Sequence, residues 1–387
     1  MADRTPQPQI KRFLMNKAAI KKIPLNGSFE LTPLCNMNCR MCYIRMSEKE
    51  MNERGTMLSA QEWIDLGKEA VECGMLFLLL TGGEPFIRKD FRYIYEELTK
   101  LGLSITINSN ATLIDENIME WLSKTPPAKI NVTLYGKDNE TYERLCGLKN
   151  GYDRAVRGIE LLRAAGIMVN INASFTKYNE ADMEYIINFA KERDLSFRAT
   201  SYMFPPVRSA KNGKTDVEVR FTAEEAAAAR ARSDKLRMSE NRYKLYLQAM
   251  HAGKCNAEED DDCMRTEDAK MKCMAGKSSF WITWDGRITP CGMMNAPVVN
   301  HCRDGKSFKD EWEYIVNETG RICMPSECEN CSKKFACVVC GALTIAEGDG
   351  DSQKKPEYLC RMTEHYIELL EQEYSLMEQK NTNLENN

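Results

Sequence analysis

The sequence predicts an α/β chain: a partial (β/α)6 TIM-like barrel with a parallel sheet, followed by a loop-rich cysteine domain. Three observations carry that expectation. Short β-rich runs alternate with helical stretches six times between residues 29 and 202. Runs such as FLLLT and KINVTLY are nearly continuous apolar stretches, as strands covered by helices on both faces should be. Eleven of the 16 cysteines fall between Cys255 and Cys360, in a zone with little apolar material for a core of its own.

The elements follow in order. A first strand over residues 29–34 leads to a helix over 60–73, and a second strand, 75–80, to a helix over 90–101. The third strand, 103–108, precedes a helix over 115–123; the fourth, 130–135, a helix over 152–165. The fifth, 167–175, is followed by a helix over 180–193, and residues 195–202 form the sixth strand. This alternation implies parallel strands with right-handed crossovers. Six units are too few for a closed eight-fold barrel, which favours an open one over a flat doubly wound sheet. In either architecture ligands gather at the carboxyl ends of the strands. After Pro205 and Pro206 a linker precedes a helix from Thr222, read as its N-cap, to about residue 249. From Glu364 a helical stretch runs into a polar, frayed tail. The expected divisions are an extension over 1–24, the barrel over 25–205, linker and helix over 206–254, the cysteine domain over 255–365 and a tail over 366–387.

Composition excludes several classes. Fifty-three Lys and Arg against 57 Asp and Glu give a formal net charge of −4, so nucleic acid is not the expected partner. The longest apolar run is six residues, against roughly 20 for a membrane helix, and the N-terminus MADRTPQPQI lacks a signal-peptide core. The expected setting is the cytoplasm, where 16 cysteines stay reduced and are read as metal ligands rather than disulfides. Only three histidines accompany them, so mixed Cys/His zinc sites are poorly supplied.

Cys35, Cys39 and Cys42 lie directly after the first strand, placing three thiolates on one loop at the carboxyl end of the sheet. A four-iron cluster fully held by protein takes four cysteines; three leave one iron open for a substrate or cofactor. The competing reading is a structural zinc loop with a distant fourth ligand. Thr81-Gly82-Gly83-Glu84-Pro85 follows the second strand, beside the cysteine loop. Two glycines let the backbone approach a ligand, and the carbonyls and the Glu84 carboxylate can accept from an ammonium group.

These two segments, CNMNCRMC and LTGGEP, resemble the signatures of the radical S-adenosylmethionine (SAM) superfamily, over roughly residues 25–205. The resemblance implies that Cys35, Cys39 and Cys42 hold a four-iron, four-sulfur cluster. It implies that SAM chelates the fourth iron, with Gly82, Gly83 and Glu84 at its methionyl amino group. Reductive cleavage would then yield a 5′-deoxyadenosyl radical that abstracts a substrate hydrogen. Met41 stands where the family usually has an aromatic beside adenine, and Tyr43 is the substitute. By analogy Asn108, Asn110 and Thr133 contact the ribose and carboxylate of SAM; each also reads as an ordinary strand-end hydrogen-bonding residue.

Downstream, Cys273, Gly286 and Cys291 precede Cys328, Cys331, Cys337, Cys340 and Cys360. This is similar to the SPASM domain, whose seven-cysteine pattern carries two auxiliary four-iron clusters. Two residues separate Cys337 and Cys340, where that family usually has three. The resemblance implies one cluster on Cys273, Cys291 and Cys340 with an upstream ligand, Cys263 being preferred to Cys255. It implies a second on Cys328, Cys331, Cys337 and Cys360. One or two structural zincs are the alternative. Cys73, Cys146, Cys302 and Cys323 fit no pattern, and Cys73 is read as a small core residue.

SPASM-bearing enzymes mostly modify peptides or proteins, so the expected partners are such a substrate and an external electron donor of the flavodoxin or ferredoxin type. The 34 residues before Cys35 are too few for a separate leader-binding domain, and the basic run KRFLMNKAAIKK reads as a solvated helix face. Gly292 stands where sulfatase-maturating members have Asp, against that assignment. The alternatives are a small-molecule enzyme such as a tetrapyrrole side-chain decarboxylase, and a zinc-stabilised binding module. No catalytic acid or base is assigned.

Overall fold

The computed structural model describes residues 9–205, 218–254, 271, 273–301 and 305–385. A helix, α1 (Gln9–Lys21), leads into β1 (Asn26–Glu30). Next come α2 (Glu48–Arg54), α3 (Ala60–Glu72), β2 (Phe77–Thr81), α4 (Phe91–Lys100), β3 (Ser104–Ser109), α5 (Glu116–Leu122) and β4 (Lys129–Thr133). Then follow α6 (Asn139–Cys146), α7 (Gly151–Ala164), β5 (Val169–Ser174), α8 (Met183–Glu192) and β6 (Ser196–Thr200). The six strands pair in sequence order, all parallel, giving the expected open βα array. Local signals fix the helix starts: Ser47 with Glu50, Ser59 with Glu62 and Thr222 with Glu225 each form a capping box.

Strands β3 to β5 are not apolar on both faces, which corrects the reading of KINVTLY; FLLLT is, with Leu79 level with Thr106. Leu78, Leu80, Ile105, Ile107, Ile130, Val132 and Ile171 are buried in the main core with residues of the flanking helices. The other face, matched strand to strand by register, carries Thr106, Asn108, Asn131, Thr133, Asn170 and Asn172. A partial barrel keeps helices outside only, so its inner face is free to be polar.

The first strand ends before its predicted limit. Pro33 cannot continue a ladder, and residues 31–34 instead run beside the loop after β2. Leu31 N donates to Thr81 O (2.8 Å), Gly83 N to Thr32 O (2.7 Å) and Glu84 N to Leu34 O (2.9 Å).

The predicted helix over 222–249 is two, α9 (Ala223–Arg237) and α10 (Glu240–His251), because Met238 is extended and Ser239 starts afresh. The cysteine zone is less loop-like than expected. β7 (Ser279–Ile282) pairs parallel with β1, and β8 (Arg287–Thr289) and β9 (Val299–Asn300) add antiparallel, making one nine-stranded sheet in the order β6-β5-β4-β3-β2-β1-β7-β8-β9. Helices α11 (Phe308–Thr319), α12 (Ser326–Glu329) and α13 (Gly341–Glu347) follow. Met271, Ala275, Met294 and Ala342 make a small separate core there. The last helix, α14 (Glu357–Glu385), starts earlier and runs further than predicted. It docks on α9 through Tyr366 Oη, which donates to Asp234 (2.7 Å), and Lys235, which pairs with Glu373 (2.7 Å). No helix among the described residues is long and apolar enough to cross a membrane.

Candidate active site

Cys35, Cys39 and Cys42 sit on the loop leaving β1, against the loop leaving β2, as their order in the chain requires. Met37 N points at Cys35 Sγ (3.4 Å) and Arg45 N at Cys42 Sγ (3.2 Å), each a backbone donor to sulfur. Burial pushes the Cys35 thiol up to about 12 and that of Cys42 up to about 11, with neighbouring thiols and, respectively, Glu84 and Glu30 adding to the rise. Cys39 is held low, chiefly by a hydrogen bond from Cys146. Anionic sulfur is therefore costly at two of the three positions unless positive charge arrives with a bound group, as iron would bring it. Among the described residues no three His, Cys, Asp or Glu converge tightly enough for a single metal ion. The donor set fits a wider, thiolate-only group such as a four-iron cluster.

Gly82 and Gly83 press on the cysteine loop. A Cβ at Gly83 would lie 2.2 Å from Leu34 O, and one at Gly82, whose φ is +147°, 2.5 Å from Thr32 O. The two glycines therefore serve the meeting of two chain segments directly before Cys35. Glu84 is held by the chain itself. Its carboxylate is fully buried and turned inward, accepting from Ser109 Oγ (2.9 Å), Asn110 N (2.7 Å) and Phe86 N (3.2 Å). Burial outweighs those donors and raises its pKa to about 7. Its side chain ties the end of β3 to the loop after β2.

Asn110 is drawn to the cysteines: its Nδ2 donates to Asn36 Oδ1 (2.9 Å) and lies 3.7 Å from Cys35 Sγ. Its Oδ1 accepts from Thr112 N and Oγ1, so the amide is oriented by the chain itself. Asn108 reaches Thr81 Oγ1 (3.4 Å) and accepts from Asn131 Nδ2 (2.8 Å). Thr133 is half-buried at the end of β4, opposite Asn172, and Tyr43 is half-buried on the cysteine loop.

The C-terminal thiols fall into two sets. Cys340, pushed up to about 12 by burial, feels Cys273 and Cys291; Cys360, pushed up to about 11 by burial, feels Cys328 and Cys337, and Lys333 feels both Cys331 and Cys360. Cys255, Cys263 and Cys302 lie outside the described residues. Gly292 packs on the ring of Trp281, where a Cβ would come within 2.8 Å, so an Asp there has no room. The Trp281 indole N–H donates to buried Glu30 (3.0 Å) on the inner face. Cys73 caps α3 and packs on the core, as expected. Sequence reasoning missed Asn36 and Cys146, the latter buried beside Cys39 though 107 residues later. Spacing gives no signal at such a separation.

Residues 29–190 match the Radical SAM superfamily. These residues carry a radical SAM domain. The chain is 25% identical over 346 residues to the AdoMet-dependent heme synthase of Methanosarcina barkeri, covering 88% of this chain and 97% of that one. It is 23% identical to the sporulation killing factor maturation protein SkfB of Bacillus subtilis, covering 86% and 73%. Streptococcus suis SuiB bound to its precursor peptide SuiA superposes with a TM-score of 0.63 at 20% identity, covering 89% and 78%, which shows a shared fold. The radical SAM match implies a four-iron, four-sulfur cluster and SAM as cofactors, and the C-terminal extension carries many cysteines.

Proposed function

We propose that this radical SAM enzyme modifies a peptide or protein, with Cys35, Cys39 and Cys42 as the ligands of its first cluster. Bound together, cluster and SAM supply one-electron cleavage of a sulfonium bond and, from it, hydrogen abstraction. The chain's own residues hold and orient. Gly82, Gly83, Tyr43, Asn108, Asn110 and Thr133 are the proposed surroundings of SAM, and Glu84 braces the loop that carries the two glycines. Cys273, Cys291 and Cys340, with Cys263 as the proposed fourth member, and Cys328, Cys331, Cys337 and Cys360 are proposed for two auxiliary clusters. A donor of the flavodoxin or ferredoxin type supplies the electron, and the reduced thiols suit the cytoplasm.

The observation that carries the peptide reading is the inner face of the sheet. Its central rows are neutral carboxamides and hydroxyls: Thr106, Asn108, Asn131, Thr133, Asn170 and Asn172. A carboxamide both donates and accepts, which matches a peptide backbone. A tetrapyrrole bearing several carboxylates calls for clustered cations, Arg above all. On strands β1 to β6 this face offers Lys129 at the start of β4 and Arg198 on the exposed edge strand. The maturation protein SkfB, aligned over most of both chains, supports the same reading. The heme synthase, aligned over 97% of its length, is the observation favouring a tetrapyrrole side-chain reaction instead. Both are separated by one assay: reduced enzyme and SAM with the deuterated peptide encoded by the neighbouring reading frame, against the same mixture with a carboxylated porphyrin. The peptide reading expects deuterium in 5′-deoxyadenosine and a changed peptide mass. Porphyrin losing carbon dioxide while the peptide stays intact would reject it.

A further inference from the structure

Cys146 has no place in any cysteine pattern, yet the fold brings it to the first cysteine loop. It ends α6, and Gly147, with φ +66°, closes that helix in the left-handed region. The freed carbonyls of the last turn are then used by the cysteine loop. Asn38 N donates to Cys146 O (2.8 Å), and Arg40 N donates to Leu145 O (3.0 Å). These two bonds flank Cys39, so its side chain is pinned against the end of α6. The Cys39 and Cys146 side chains are buried in the same core, with Tyr135 packed against it. Cys146 is fully buried and Cys39 8% exposed, and fully buried Tyr142 belongs to the same core.

We propose that Cys146 is a positioning residue for the first cluster, its S–H donating to Cys39 Sγ when that sulfur binds iron. The inference rests on the reading of Cys39 as a cluster ligand and goes beyond it. Hydrogen bonds to cluster sulfurs are among the terms that set reduction potential, because the added electron makes the sulfurs more negative and the donor's dipole favours that state. In an apolar wall the effect is undiluted by water. Cys146 is a donor here and not a fourth ligand: ligation would close the corner that three cysteines leave open.

The test uses the full chain, iron-loaded under anaerobic conditions, as wild type, Cys146→Ala and Cys146→Ser. Redox titration followed by electron paramagnetic resonance tracks the signal that changes when SAM is added, which singles out the first cluster from any others. The expected result is a midpoint potential more negative in Cys146→Ala and restored towards wild type in Cys146→Ser, whose hydroxyl still donates, with iron content unchanged in both. An unchanged midpoint in Cys146→Ala would overturn the inference, as would loss of one cluster's iron from both variants. A wild-type protein with no SAM-responsive signal would overturn the reading of Cys39 itself, and the inference with it.

Discussion

Gly83 shows how one missing side chain holds two loops together. Its amide donates to Thr32 O at 2.7 Å, and its Cα side faces Leu34 O so closely that a methyl group would sit 2.2 Å away. The sequence showed that glycines were needed here but assigned them to ligand approach; the backbone they admit is that of the residues just before Cys35. Gly83→Ala must therefore displace Pro33 and Leu34. We expect a cost of about 1–3 kcal/mol and loss of iron from the first site with the C-terminal iron retained, measured by thermal melting and iron per chain. Wild-type values for both would contradict this. Glu84 was legible as important and illegible in direction. A carboxylate in a short motif looks the same whether it points out to a ligand or back to Ser109 and Asn110, and only the fold decides.

At the scale of elements, the six βα units were legible because each strand and helix is long enough to show its period. The missed strands, β7 to β9, are four, three and two residues long and show none. They form because β1, whose other edge pairs with β2, offers β7 a free ladder. The polar inner face was also obscured, since leucines in FLLLT fall on both faces and hide the alternation visible in β3 to β5. Helix α11 is fastened beneath this sheet extension by a buried pair. His301 Nδ1 meets Glu311 Oε2 at 2.5 Å, with Glu69 of α3 facing its other nitrogen at 3.9 Å. Hydrogen bonding to Glu311 raises the pKa of His301 despite partial burial. The stabilisation this gives is complete below the ordinary histidine pKa and is lost as pH rises through the raised folded value. Melting temperature should fall across that window in the wild type, and the fall should be smaller in His301→Gln. Parallel pH profiles in the two proteins would contradict the assignment.

The whole molecule is one sheet with cysteines at both ends of its history in the chain. β1 launches the first three thiolates, and β7, its neighbour, leads through β8 to Cys291. Trp281 stands between them, bonded to Glu30 on one side and packed under Gly292 on the other. The two zones, separated by more than two hundred residues, thus share a wall. That grouping was legible from cysteine placement, whereas the shared sheet was not, because parallel pairing across such a span leaves no local trace. The proposed chemistry follows from one arrangement: three cysteines on a loop, proposed to hold a cluster whose fourth iron is left for SAM. The direct measurement is anaerobic turnover of SAM by the reduced, iron-loaded protein beside its Cys35→Ala, Cys39→Ala, Cys42→Ala triple variant. The account predicts methionine and 5′-deoxyadenosine from the wild type and none from the variant, which keeps its C-terminal iron. Cleavage that survives the triple change, or none from a fully loaded wild type, would contradict it.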